Sequence, residues 1–499
     1  MGNRMFKKIL IANRGEIAVR IMRTCQEMGI ATVAVCSDAD RHALHALEAD
    51  EAVPIGPAEP SKSYLDIDRI VDAAKQTGAE AVHPGYGFLA ENADFAERCE
   101  RERIVFIGPP AQVIRSLGDK LTARRIMQAG GVPIIPGMIE AADAPGAWAA
   151  AAEQIGFPLL VKASAGGGGK GMRIVERPDD LAEACRAASR EAAAAFGNGT
   201  IYLEKFLPKS RHVEFQILAD REGRTIHLLE RECSIQRRHQ KIIEETPSPA
   251  LSPELRAEMG QAAVAAARAA GYVNAGTVEF ILDPEGRFYF LEVNTRLQVE
   301  HPITEMITGL DLVRHQIEIA AGRPLSLIQD EVRGRGHAIE CRLYAEDPEQ
   351  RFMPSPGRIV YLREPAGPGV RNDCGVYAGC EVPVEYDPIL SKLVVHAETR
   401  ELAIRRMIRA LTSYVVLGVR TPMDFLLDVL ASAPFQAGET YTDFIAAHFA
   451  DWAPDRKRLG LAAMAYAADA MAPRARTAGP VAATAAHPGP WHTLNHWRL

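Results

Sequence analysis

Eight cysteines are scattered through the 499 residues, and no two form a Cys-x-x-Cys pair. That spacing fits free thiols in a reducing cytoplasm and offers no disulfide framework. No apolar run approaches the roughly 20 residues of a membrane span. The opening Met1-Gly2-Asn3-Arg4-Met5-Phe6 lacks the apolar stretch of a secretory signal, and Phe6 stands where a myristoylation motif needs Ser or Thr. Positive charge is in deficit. The formal net charge of −7 argues against general nucleic-acid binding. No Gly-x-Gly-x-x-Gly turn follows the first strand signal, which excludes a nicotinamide site there. What remains is an ordinary globular composition, 47% hydrophobic and 24% charged, in a chain long enough for roughly two to four domains.

The most informative stretch runs Glu292-Val293-Asn294-Thr295-Arg296-Leu297-Gln298-Val299-Glu300-His301. In an extended strand, residues two apart share a face. One segment would then present Glu292, Asn294, Arg296, Gln298 and Glu300 in a row, with Val293, Leu297 and Val299 turned to a core. A solvated edge strand would also alternate, although its outer row would rarely be so varied. Upstream, Thr277 to Leu282 and Arg287 to Val293 are β-rich runs around the turn signal Asp283-Pro284-Glu285-Gly286. Paired as a hairpin with a four-residue loop, they are expected to set Glu279 opposite Glu292. Two carboxylates that close repel unless a proton or cation lies between them. Oxygen ligands favour Mg²⁺ or Mn²⁺ over zinc, and Mg²⁺ held by a few carboxylates completes its shell with phosphate oxygens.

Two further stretches fit a nucleotide. The strand signal Phe157 to Ser164 runs into Ala165-Gly166-Gly167-Gly168-Gly169-Lys170-Gly171, and Met172 to Val175 returns as a strand. Glycine lets backbone N–H groups approach an anion closely. This loop joins two strands and lacks the Gly-Lys-Ser/Thr ending of a P-loop. Alone it could be a flexible connector; beside Lys162 and the acidic hairpin it reads as a mobile flap over phosphates. The segment Glu230 to Lys241 is rich in cations and flanked by apolar residues. It is either a charged surface loop or the cationic wall that phosphoryl transfer needs. Cys233 within it reads as a packed thiol.

These residues resemble the biotin carboxylase family of the ATP-grasp superfamily. The resemblance is carried by Ile9 to Ala18, His83 to Leu89, Gly118-Asp119-Lys120, the Gly flap, Arg211 to Glu214, Ser234 to Lys241, Glu292 to Pro302, Glu340 to Pro348 and Tyr386 to Leu393, in order through the chain. It implies an α/β (α+β) architecture: a Rossmann-like N-terminal parallel-sheet domain (1–117), an ATP-grasp domain (118–336) with a mobile lid near 136–206, and a C-terminal domain (337–448). The N-terminal strand and helix signals, Lys8 to Ala12, Glu16 to Gly29 and Ala31 to Val35 among them, fit the first of these.

The resemblance also implies residue roles. Lys120, Lys162, Gly166, Gly167, Gly168, Gly169 and Met172 would surround ATP. Glu204, Lys205 and Leu207 would receive adenine, with Ile281, and His212, Gln236 and His239 would contact the nucleotide. Glu279 and Glu292, with Asn294 assisting, would hold Mg²⁺ or Mn²⁺. Lys241, Arg296, Gln298, Val299 and Glu300 would bind bicarbonate, and Tyr86 and Arg342 biotin. Catalysis would rest on Lys241, Arg296, Glu300 as base, and Arg342, for which an ion pair with Glu340 or Glu346 is the structural alternative.

Residues 449–499 are expected to be an Ala/Pro-rich tail. Its end, Gly489 to Leu499 with Trp491 and Trp497, is similar to the entry into the next domain of longer acyl-CoA carboxylase α subunits. No Met-Lys-Met occurs, so the biotin-bearing module would lie on a missing segment or another chain. The implied partners are a biotin carboxyl carrier protein or domain and a carboxyltransferase subunit, in a homodimer or larger α/β assembly, with no nucleic acid and no membrane. An ATP-grasp ligase joining a carboxylate to an amine, and an inactive assembly subunit, are the competing readings. The acyl-CoA is not written in the sequence; propionyl, methylcrotonyl and geranyl types fit the motif wording, and acetyl-CoA stays open.

Overall fold

Strands β1 (Lys8–Ile11), β2 (Ala31–Ser37), β3 (Glu51–Gly56), β4 (Ala81–His83) and β5 (Val105–Phe106) form a sheet in the order β3-β2-β1-β4-β5, every pair parallel. Ile9, Leu10, Ile11, Val33, Ala34 and Val35 are all fully buried, as a sheet covered on both faces requires. Helix α1 (Gly15–Glu27) leaves β1 through Gly15 at φ 65° and buries Ile17, Ala18, Ile21, Met22 and Cys25.

The computed structural model describes residues 5–140, 145–164, 172–238, 240–455 and 464. The chain divides into units 1–452 and 453–499, and the tail expected at 449–499 lies, from 456 onward and but for Met464, outside the described residues.

Strands β6 (Leu159–Ala163), β7 (Arg173–Val175) and β8 (Ile201–Lys205) form a small antiparallel sheet in the order β7-β6-β8. The expected flap glycines Gly166, Gly167, Gly168 and Gly169, between β6 and β7, lie outside the described residues.

The third sheet carries most of the polar motifs. Its strands are β9 (Arg211–Ala219), β10 (Thr225–Arg237), β11 (Gln240–Thr246), β12 (Asn274–Leu282), β13 (Phe288–Asn294), β14 (His337–Tyr344), β15 (Val370–Cys374) and β16 (Ile389–Ala397). They run antiparallel in the order β13-β12-β9-β10-β11-β14-β16-β15. On β12, Val278, Phe280 and Leu282 pack against helix α2 (Pro253–Ala269), which Ser252 caps by accepting from the Leu255 N–H, with Pro253 at its first position. Thr277, Glu279 and Ile281 alternate to the other face. The cationic segment is therefore part of the β10–β11 hairpin, not a surface loop, and Arg231 within it is completely buried.

Glu279 does pair with Glu292, but by another path than a four-residue loop. The last pair is Leu282 with Phe288, so the connection spans 283–287, with Gly286 at φ 81°. Continued from that pair, the register would set Glu279 opposite Leu291. A bulge at Leu291 shifts it by one residue and brings Glu292 into place.

The run 292–300 is not one strand. β13 ends at Asn294, the Thr295 N–H turns to the Glu91 carboxylate at 3.1 Å, and Glu300 heads helix α3 (His301–Thr308). Pro302 explains the switch, since proline pre-shapes a helical first turn and cannot donate to a sheet ladder. Leu297 is buried as expected, whereas Val299 joins the site.

Helices α4 (Arg400–Ser413), capped by Thr399, and α5 (Met423–Ala431) cover the far side of β14 and β16. Between this region and α1 sits Lys392, fully buried, with its ammonium 3.1 Å from Glu16, 3.9 Å from Asp373 and donating to the Val299 carbonyl at 3.0 Å. Burial alone would raise the Asp373 pKa, but Arg371, hydrogen-bonded at 2.7 Å, and then Lys392 hold it below the usual carboxylate range. That stabilisation is present above the unfolded aspartate pKa of about 3.9 and is lost as pH falls through the folded value. Urea midpoints are expected to fall on acidification below about pH 4. Asp373→Asn should lose ~3–5 kcal/mol at neutral pH and with it part of that acid dependence.

Candidate active site

A cavity of about 1550 Å³ opens over the polar face of the large sheet and is walled on the other side by β6–β8. Strand alternation supplies its floor: His212 from β9, Gln236 from β10, Lys241 from β11, Glu279 and Ile281 from β12, Glu292 and Asn294 from β13, and Arg342 from β14. Of the other expected residues, Lys120, Lys162, Met172, Glu204, Lys205, Leu207, Arg296, Gln298, Val299 and Tyr86 stand at its walls. His239 lies outside the described residues.

Lys241 is the hub. Its ammonium donates to Glu279 at 2.9 Å and to Glu300 at 2.6 Å, and also to Glu214. Burial opposes its charge, yet Glu214, Glu279 and Glu300 together raise its pKa well above that of a free lysine. Glu300 is fully buried behind the cavity wall rather than on it. It reaches the site through Lys241 and through Arg342, which donates to it at 2.9 Å and to Glu244 at 2.6 Å. Burial pushes the Glu300 carboxyl up, but Lys241, Arg342 and Arg231 outweigh burial and hold it well below its ordinary range. The structural alternative for Arg342 is corrected by this: its partners are Glu244 and Glu300, while Glu346 belongs to Arg237 at 2.6 Å.

Arg296 faces the cavity, held by the Gln298 side chain at 2.9 Å, the Asn294 side chain at 2.9 Å and Glu91 at 3.1 Å. The Asn294 oxygen accepts from Arg296 and orients the guanidinium, and its second lone pair is left for the assisting role expected at a cation beside the two acids. Glu292 suits such a cation. Its carboxyl is pushed upward, first by burial and then by the facing Glu279, with Lys120 and Lys162 pulling against them. A divalent ion would relieve both causes, and paired oxygen donors fit Mg²⁺ or Mn²⁺. His212 lies 2.9 Å from Glu279 and on its other nitrogen meets Gln236 at 2.8 Å.

Glu204 is held by two cations, Arg124 at 2.5 Å and Lys162 at 3.0 Å, and Lys205 donates to the Phe157 carbonyl at 2.8 Å. The side chains of both brace the wall beside the apolar lining of Phe206, Leu207, Ile281, Leu291 and Ile445.

Sequence reasoning assigned no role to Glu91, Arg124, Glu214, Glu244 or Ile445. Glu214 lay inside the quoted Arg211 to Glu214 motif, and Glu91 just after His83 to Leu89. Ile445 had no local signal, because only the fold brings the helix Phe444–His448 to the cavity.

Residues 5–114 match the family "Biotin carboxylase, N-terminal domain", 119–328 "Carbamoyl-phosphate synthase L chain, ATP binding domain", and 340–447 "Biotin carboxylase C-terminal domain". The chain is 54% identical to a biotin carboxylase of Nostoc sp., covering 88% of this chain and 98% of that protein. The chain belongs to the biotin carboxylase family. It is also 54% identical to a pyruvate carboxylase subunit of Methanothermobacter thermautotrophicus, over 88% of this chain and 90% of that one. With the α subunit of a Dictyostelium discoideum methylcrotonoyl-CoA carboxylase it shares 52%, over 88% of this chain but 63% of that longer protein. Among solved structures, the biotin carboxylase domain dimer of Hydrogenobacter thermophilus 2-oxoglutarate carboxylase, with MgADP, ADP and bicarbonate, aligns with TM-score 0.87 at 46% identity, over 90% of this chain and all of that one. The expected α/β architecture with an ATP-grasp body is thus that of the biotin carboxylases.

Replacing Glu292 by Gln removes one of the facing acids while keeping its shape. Calorimetry should show Mg-ATP binding weakened by more than about tenfold, with metal-free ATP binding little changed.

Proposed function

We propose that this biotin carboxylase carboxylates biotin on a carrier from ATP and bicarbonate, as the first half-reaction of an acyl-CoA carboxylase. The observation that carries the reading is a single cavity in which Lys241 and Arg296 offer an anion site between the Glu279–Glu292 pair and the Arg342–Glu300 pair. A planar guanidinium suits a planar anion with two oxygens. Mg²⁺ or Mn²⁺ at Glu279 and Glu292 would offset the charge of the ATP phosphates. Lys120 and Lys162 face the same phosphates, and Phe206, Leu207, Ile281 and Ile445 give adenine an apolar slot.

Glu300 is ionised at neutral pH and ready to take a proton, but its partners make it a weak base. Bicarbonate bound by Lys241 and Arg296 shares Lys241 with Glu300, and that loosens the pairing and raises its basicity. With its proton passed to Glu300, an oxygen of bicarbonate attacks the γ-phosphorus and ADP leaves. The carboxyphosphate formed breaks down to CO₂ and phosphate, and phosphate takes the proton from biotin N1′ as that nitrogen attacks CO₂. Arg342 stabilises the negative charge on the ureido oxygen, and Tyr86 lines the same cavity.

The complete acyl-CoA carboxylase reaction requires two partners, the carrier and a carboxyltransferase subunit, and a homodimer is the expected assembly. The described cysteines are all free and buried, which supports a cytoplasmic setting. No described helix is long and apolar enough to cross a membrane.

Glu300→Gln should still bind Mg-ATP by calorimetry while bicarbonate-dependent ATP cleavage, stimulated by free biotin, falls by at least about a thousandfold. Near-normal turnover would take Glu300 out of the mechanism. Affinity purification should recover a biotinylated chain and a carboxyltransferase chain; recovery of neither would count against the acyl-CoA carboxylase assignment.

A further inference from the structure

Behind Arg342 lies a second pair of acids that the reaction above does not use. Glu244 on β11 and Glu340 on β14 are directly opposite on neighbouring strands, and both are 0% exposed. Opposed side chains on an antiparallel pair have Cβ atoms about 4.5–5.5 Å apart. Arg342 uses one Glu244 oxygen; the other Glu244 oxygen and both Glu340 oxygens have no hydrogen-bond partner among the described residues.

The charges around the pair can be followed element by element. From β14 comes Arg342, already shared between Glu244 and Glu300, and from β11 Lys241, which acts on Glu244 but is committed to Glu214, Glu279 and Glu300. From β16 comes Lys392, committed to Glu16 and the Val299 carbonyl. Glu300, at the head of α3, adds a negative charge, and the next residue, His301, is kept neutral by burial and the cations near it. Ionised, Glu340 would therefore be a buried carboxylate facing two others with no cation of its own, a state that proteins avoid by taking up a proton. Burial first, and Glu244 second, push its carboxyl well above the usual range. A protonated carboxyl has one O–H to donate, and the Glu244 oxygen left open by Arg342 is the acceptor opposite it.

We propose that Glu244 and Glu340 hold one proton between them, and that the resulting single negative charge fixes Arg342 in position while leaving Glu300 as its exchangeable partner. The proposal rests on the functional reading above. When Glu300 accepts the proton of bicarbonate, Arg342 stays anchored to Glu244 and its released N–H groups turn to the ureido oxygen. With Glu340 ionised as well, Arg342 would answer to three carboxylates and its charge would be quenched before biotin arrived. Glu340 is a positioning residue acting through Glu244 and Arg342.

Infrared spectra of the whole protein in H₂O and D₂O at neutral pH test the proton itself. In the difference spectrum between the unsubstituted protein and Glu340→Gln, one C=O stretch of a protonated carboxylic acid, shifted in D₂O, is expected to be lost from the variant. In Glu244→Gln the same band should move, because the acceptor of the O–H has changed. Kinetics with free biotin test the role. Glu340→Gln keeps the shape and an N–H donor and should hold kcat within about threefold. Glu340→Leu leaves Glu244 without its donor and should lower kcat by about tenfold or more, with the KM for ATP unchanged. A band that persists in Glu340→Gln, or a Gln variant as impaired as the Leu variant, overturns the proposal. If the unsubstituted protein cleaves no ATP with bicarbonate, the functional reading fails instead, and the band still decides the proton.

Discussion

One ammonium surrounded by three buried acids is the interaction from which the site is built. Lys241 lies among Glu214, Glu279 and Glu300, two of them wholly shielded from solvent. Removing such a cation from low dielectric would leave charges with nothing to balance them, so its position is tightly determined. Two of the acids also answer to a second cation, Glu214 to Arg231 and Glu300 to Arg342, while Glu279 meets the His212 ring. The floor of the cavity is thus an alternating lattice of charges, and a bound anion or metal ion enters by exchanging partners with it rather than by creating charge in an empty place.

That exchange gives the cavity its division of labour. On one side, apolar walls and Lys162, steadied by Glu204, suit a nucleotide. In the middle, Arg296 is held flat by Gln298, Asn294 and Glu91, so its fork is pre-organised and loses little freedom on meeting a planar anion. On the other, Arg342 joins Glu300 to the acids behind it. Lys162, Glu204 and Arg342 sit on strands, which places them more accurately than loops would, whereas Arg296 and Gln298 lie in the short connection between β13 and α3.

Much of this was legible in the sequence. The hairpin that carries Glu279 and Glu292 followed from two β-rich runs and a turn signal, although a four-residue loop alone would set Glu279 opposite Phe290, and the parallel N-terminal sheet followed from its alternation with helices. The bulge that produces the pairing was hidden because Leu291 carries no mark of irregularity. The end of β13 was misread because the polar alternation continues past it; Pro302, the helix signal, lies outside the alternating residues. For Arg342, partners were sought among near neighbours, whereas the real ones are 98 and 42 residues away in sequence. Such contacts exist only after strands from distant segments have been laid side by side.

The pairing of β11 with β14 has a consequence for anyone who would take the protein apart. Matches to the ATP-binding family end at 328 and those to the C-terminal family begin at 340, which invites a cut between them. Yet hydrogen bonds run unbroken from β13 to β15 across that border. Severing it would strip two central strands of their neighbours, present raw ladder edges to any passing chain, and split Arg342 from both its acids. The border marks ancestry in the text of the chain; mechanically the two segments are one cloth.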